Sequence, residues 1–153
     1  MARSYTFQYN VTTTTNTAYP LGLLTTGGSA TNQYRIYDVL SGSDATPVDQ
    51  ATKFQLIRSS TTGNTLSVQS NFGITPGDPA PTSLSYLMNS GGSTITVAGV
   101  VLTWAQNQRA TFRWVAAPER ELYSPVGAQA GIGLISPVLT AAYNVVISEE
   151  FTE

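Results

Sequence analysis

The feature that most constrains this chain is a strict period of two at its start. Tyr5, Phe7, Tyr9 and Val11 alternate with Thr6, Gln8, Asn10 and Thr12. Successive side chains of a strand point to opposite faces, so this pattern predicts a half-buried strand over residues 4–15. The same period returns at Ile95, Val97, Gly99 and Val101, and at Tyr143, Val145 and Ile147. Runs of β-branched and aromatic residues predict further strands at 33–40, 53–58, 66–68, 111–115 and 131–135. Turn residues separate them: Pro20-Leu21-Gly22, Thr25 to Ser29, Ser41 to Asp44 and Thr62-Gly63-Asn64. The stretch from Phe72 to Pro81 holds two glycines and three prolines and reads as loop. Ser83 to Met88 is the sole helical candidate, one turn closed by Gly91-Gly92. About eight short strands without a substantial helix predict an all-β fold, an antiparallel β-sandwich of jelly-roll-like form. Periodicity leaves the strand order open, and without a fixed internal repeat a propeller or solenoid is not expected.

Length and charge narrow the class. A chain of 153 residues suits one domain, 1–153, with residues 1–4 as an N-terminal contact arm. No apolar run approaches the ~20 residues of a membrane-spanning helix, and no apolar segment follows Arg3, so neither a membrane partner nor a secretory signal is expected. The seven Lys and Arg residues are scattered through a chain of net charge -2, which argues against a nucleic-acid partner. Histidine and cysteine are both absent, which removes disulfides, thiol nucleophiles and the commonest metal ligands and fits a reducing cytosol. We therefore expect no enzyme, no cofactor and no metal centre. Only 10% of the residues are charged, so a surface of Thr, Ser, Asn and Gln suits a subunit partly covered by others.

The densest charge cluster is Glu119-Arg120-Glu121, set among the aromatics and β-branched residues of 112–151. Two carboxylates at this spacing would share one face of a strand and invite comparison with a glycosidase pair. The plainer reading is a solvated or interface turn in which Arg120 meets a carboxylate. Asp38, Asp44, Asp49 and Asp78 lack the spacing of a calcium loop, and Ser59 to Gly63 lacks the pattern of a phosphate loop. Trp104, Trp114 and Tyr123, with Phe112, Arg109 and Arg113 near them, either stack on sugars or fill a core or a seam. Asn10-Val11-Thr12 matches a glycosylation acceptor but reads as strand, and Phe151 among Glu149, Glu150 and Glu153 suggests that the last strand runs to the end of the chain.

Five segments carry a resemblance: Tyr5-Thr6-Phe7; Ala51 to Arg58 leading into Ser59-Ser60-Thr61-Thr62-Gly63; Arg113 to Glu121; Ser124-Pro125; and Ser148-Glu149-Glu150-Phe151. Together they resemble small virion proteins of tailed bacteriophages, most of all capsid decoration or cement proteins. The Thr-rich beginning and the Pro-Gly stretch at 72–81 depart from that pattern. The resemblance implies a homotrimer on the outer surface of the capsid, made in the bacterial cytoplasm, that ties major capsid protein subunits together. Its contacts are then expected at Arg3, Tyr5, Arg113, Glu119, Arg120 and Glu121. The alternative is a carbohydrate- or receptor-binding module of a head or tail fibre, using Trp104, Trp114 and Tyr123.

Overall fold

A computed structural model describes residues 3–12, 19–25, 33–44, 46–60, 66–88, 95–127, 130–137 and 144–153. They form twelve strands in two sheets. The first sheet contains β1 (Ser4–Thr12), β3 (Arg35–Asp44), β6 (Phe72–Gly73), β9 (Phe112–Val115), β10 (Leu122–Tyr123) and β12 (Asn144–Thr152). Its order is β10-β3-β12-β1-β6, with β9 also lying along β3. The second contains β2 (Tyr19–Thr25), β4 (Ala51–Ser59), β5 (Leu66–Gln69), β7 (Leu84–Met88), β8 (Val97–Asn107) and β11 (Gly131–Ser136), in the order β5-β7-β2-β11-β4-β8. Each pairing is antiparallel.

Within these sheets β1-β12-β3-β9 faces β2-β11-β4-β8, and the chain changes sheet at each step from β1 to β4, from β8 to β9 and from β11 to β12. That is the strand order of a jelly roll. The remaining four strands extend its edges. Among the described residues there is no helix.

The period of two explains the layering. On β12, Val145, Ile147, Glu149 and Phe151 are buried, while the residues between them are exposed or half-buried. On β1, Tyr5, Phe7 and Tyr9 point the same way and meet Leu24, Leu56, Ile132 and Leu134 of the second sheet in one apolar core. Trp104 of β8 lies between Phe54 and Phe112, with ring centroids 5.5 and 4.7 Å away, and so ties β4 and β8 to β9. Its indole N–H donates to Gln106 Oε1 at 3.0 Å, which also accepts from the Ser41 hydroxyl at 2.6 Å. Tyr34 crosses the core: its hydroxyl accepts from the Ile132 amide at 2.7 Å and donates to the Leu24 carbonyl.

Several sequence expectations change here. Ser41 to Asp44 continues β3, paired with β12, instead of closing it as a turn, and Phe72-Gly73 pairs with β1 as β6 instead of lying in a loop. Ser83 to Met88 supplies β7 instead of a helical turn, paired with β2 and β5. The stretch around Pro20 and Gly22 supplies β2 instead of a turn. Proline is tolerated there because Pro20 stands beside a register shift at the start of the strand, where its missing N–H interrupts no continuous ladder. Gly22 leaves room for the Tyr9 ring, whose Cζ lies 2.8 Å from where a Cβ would be. The expected strand residues 13–15, Ala142 and Tyr143, the loop from Thr26 to Ser29, the turn at Thr62 to Asn64, the Gly91-Gly92 stop, and Met1 and Ala2 of the arm lie outside the described residues.

Candidate functional site

Residues opposite one another in an antiparallel sheet project to the same side, so the pairing registers map the outer face of the first sheet row by row. One row runs Ser4, Thr152, Arg35 and Tyr123. The next runs Phe72, Thr6, Glu150, Asp38 and Val115. A third runs Gln8, Ser148, Leu40 and Arg113, and a fourth Asn10, Val146 and Gly42. Ile74 continues the first row, since its amide donates to the Ser4 carbonyl at 3.0 Å. Phe72, Ile74, Val115, Leu40, Val146 and Tyr123 are all exposed. Among the described residues they account for six of the eleven exposed large hydrophobic residues, so this face is where their apolar surface concentrates.

Charges stand among them. Arg113 donates from Nε to both oxygens of Asp38 at 3.1 Å and from a terminal nitrogen at 2.5 Å. The arrangement is bidentate, and the Asp38 carboxylate raises the guanidinium pKa. Asp38 is nearly buried although it lies on the outer side, because a register shift at Glu150/Phe151 leaves Tyr37 as the extra residue beside it. Burial is the largest cause of a raised Tyr37 pKa. Arg35 sits over the ring of Tyr123, 5.1 Å from its centroid.

A groove of about 260 Å³ opens in the same face, lined by Leu40, Ser41, Gly42, Ser43, Thr111, Val146 and Ser148. It exists because Gly42 has no side chain to fill the gap between Leu40, Thr111 and Val146. Two of its hydroxyls are already engaged: Ser43 donates to the Gln108 carbonyl at 2.5 Å, and Ser41 to Gln106. What remains available is mainly apolar surface, suited to an aliphatic or aromatic group.

The Glu119-Arg120-Glu121 segment is a turn and not a strand. The Arg120 amide donates to the Ala117 carbonyl at 2.9 Å, with Pro118 and Glu119 between them. Glu119 has φ 64°, the left-handed region that the third position of a type II turn requires. Glu119 and Glu121 therefore do not share a strand face. Glu119 and Arg120 are exposed, whereas Glu121 is half-buried with an unpartnered buried Oε2. Among the described residues the one ion pair is Arg113 with Asp38, so Arg120 does not pair with a neighbouring carboxylate.

Tyr5, expected as a contact, and Trp104, expected under the alternative to stack on a glycan, lie in the core. Tyr5 is buried and stacks on Phe151, with centroids 5.6 Å apart, because it falls on the inward phase of β1. Trp104 is likewise buried between two rings, so it has no free face for a sugar. Trp114 is half-buried and packs against the core, opposite Val39. Tyr123 is exposed. Arg3 is exposed at the sheet end, where its backbone exchanges hydrogen bonds with Glu153 at 3.2 and 3.3 Å. Of the four aspartates, Asp44 accepts from Asn10 and Asp49 from Asn107. Among the described residues no three potential ligands gather to hold a metal.

Sequence reasoning did not single out Glu149. It occupies an inward position of β12, opposite Phe7 and Val39, and is fully enclosed. Tyr9 donates to its Oε1 at 3.3 Å, and its Oε2 has no partner among the described residues. Burial pushes its pKa up to about 7, against the lowering effect of the Tyr9 bond. The alternation Val145, Ile147, Glu149, Phe151 was the available signal, since it puts the carboxyl on the apolar phase. No family model matches the chain, and no curated protein matches it.

Proposed function

We propose that the chain is a non-catalytic structural protein of a bacteriophage virion, which decorates the outside of the capsid and stabilises it by bridging major capsid protein subunits. The observation that supports this most is the placement of exposed apolar side chains on several sides of the sandwich. Phe72, Ile74 and Val115 lie on the outer face of the first sheet, Val97 and Val100 on β8, the edge strand of the second sheet, and Val126 in the loop after β10. Such placement suits a subunit that several neighbours cover, and repeated modest contacts add up by symmetry and avidity. The Pro118-Glu119 turn offers a second kind of contact, an exposed charged tip on a constrained backbone that can set register across an interface.

A glycan-binding module is the second reading, favoured by the exposed Tyr123 ring with Arg35 over it and by a strand order that lectin domains share with viral capsid domains. Heating purified phage heads with and without the protein separates the two. The capsid reading expects the rupture temperature to rise with the protein bound, and Arg120→Glu to reduce occupancy. Unchanged rupture together with retention on a glycan array that Tyr123→Ala abolishes would favour the module.

A further inference from the structure

We propose that the outer face of the first sheet binds the same face of a second copy of this chain across a two-fold axis, each copy seating Phe72 in the other's groove at Gly42. Phe72 is the most exposed large hydrophobic residue among the described residues, at 65%. It stands opposite Thr6 at the outer margin of β1, so its ring projects from the face on the side that carries the groove. The groove lies between β12 and β3, floored by Gly42 and walled by Leu40 and Val146. An apolar cavity of about 150 Å³ holds benzene, so one of 260 Å³ has room for a phenyl ring.

Symmetry follows from the placement. Knob and groove look in the same direction, so two copies set face to face about a two-fold axis each present a groove to the other's Phe72. A contact in which residue i meets j and j meets i is isologous, and the face closes a dimer instead of a ring of three. The area suffices. The six strands of this sheet hold 36 residues, which at ~4.8 by ~3.4 Å each give a face of at most roughly 600 Å² per copy, or about 1,200 Å² for two, the lower end of specific interfaces. Charge does not oppose the approach, because in the four rows that begin at Ser4, Thr6, Gln8 and Asn10 the cations Arg35 and Arg113 balance Asp38 and Glu150. It goes beyond the capsid reading by assigning Phe72 and its face, which that reading leaves to unspecified neighbours, to a second copy of the chain.

Sedimentation velocity of the full chain tests it, with Phe72→Ala and Gly42→Leu as variants. A Cβ at Gly42 would meet only Thr111 Cγ2, at 3.4 Å, so filling the groove leaves the fold in place, and matching thermal melts verify this for both variants. The wild type is expected to be a dimer. Phe72→Ala should raise the dissociation constant roughly 30-fold, as loss of an aromatic anchor does, and Gly42→Leu should do the same. Mixing the variants under different tags restores one of the two seats, so they should associate with each other more tightly than either does with itself. A wild type that is monomeric at its highest soluble concentration, a trimer, or a dimer untouched by both substitutions overturns the proposal.

Discussion

Replacing Glu149 by Gln should make the protein more stable at pH 8 and leave it nearly unchanged at pH 4.5. The carboxyl is enclosed between Phe7 and Val39 on its own sheet and holds one hydrogen bond, from Tyr9. The ionisable groups that act on it are the two buried phenols Tyr9 and Tyr34, both with pKa values raised by burial, so no cation offsets a negative charge there. Its pKa rises from the ordinary 4.5 to about 7. Below 4.5 the folded and unfolded chains both hold the proton. As pH climbs from 4.5 to about 7 the unfolded chain releases it while the folded chain keeps it, so stability falls across that window and levels off above it. At ~1.4 kcal/mol per pH unit the loss amounts to about 3 kcal/mol. Glutamine keeps the shape and an acceptor for Tyr9 but cannot ionise, and so removes the dependence. Urea denaturation of wild type and variant from pH 4.5 to 8.5 isolates this group, because every other titration is common to both. The stability difference should grow through the window and reach about 3 kcal/mol, or roughly 6–12 °C in melting temperature for a chain of this size. Parallel pH profiles, or a variant less stable at pH 8, would refute the reasoning.

Two further substitutions probe the turn and the core. Glu119→Gly should stabilise the fold by about 0.5–1 kcal/mol, since glycine accepts φ 64° without the cost an L-residue incurs; a lower denaturation midpoint would contradict the turn geometry. Trp104→Ala should cost about 3–5 kcal/mol by emptying the space between Phe54 and Phe112; calorimetry showing an unchanged melt with loss of sugar binding would instead place that ring at a surface site.

Seven of the eight strands that make the jelly roll were legible from runs of apolar, β-branched and aromatic residues, although β3 runs on through Ser41 to Asp44, where small polar residues look like a turn. β2 was not. Pro20 and Gly22 look like turn chemistry, and only the pairing with β11 and the approach of Tyr9 from the other sheet show why a strand uses them. β7 read as a helical turn because Leu84, Leu87 and Met88 have helical spacing as well, and its neighbours β2 and β5 decide the matter. The strand order itself depends on contacts between residues as distant in sequence as Ser4 and Thr152, which no local pattern encodes. The candidate site was less legible still. Its face is assembled from six strands, and the groove depends on Gly42 lying beside Val146, more than a hundred positions away. The charge cluster that stood out in the sequence is a peripheral turn, whereas the buried carboxyl stood unnoticed in an acidic terminal segment.

Cryo-electron microscopy of phage heads incubated with the purified protein tests whether this chain is held against a shell, as proposed. Density the size of one sandwich, repeated with the capsid symmetry on the outer surface and touching more than one major capsid protein subunit, is the predicted result. Bare shells at saturating protein, or density confined to the tail, would contradict it.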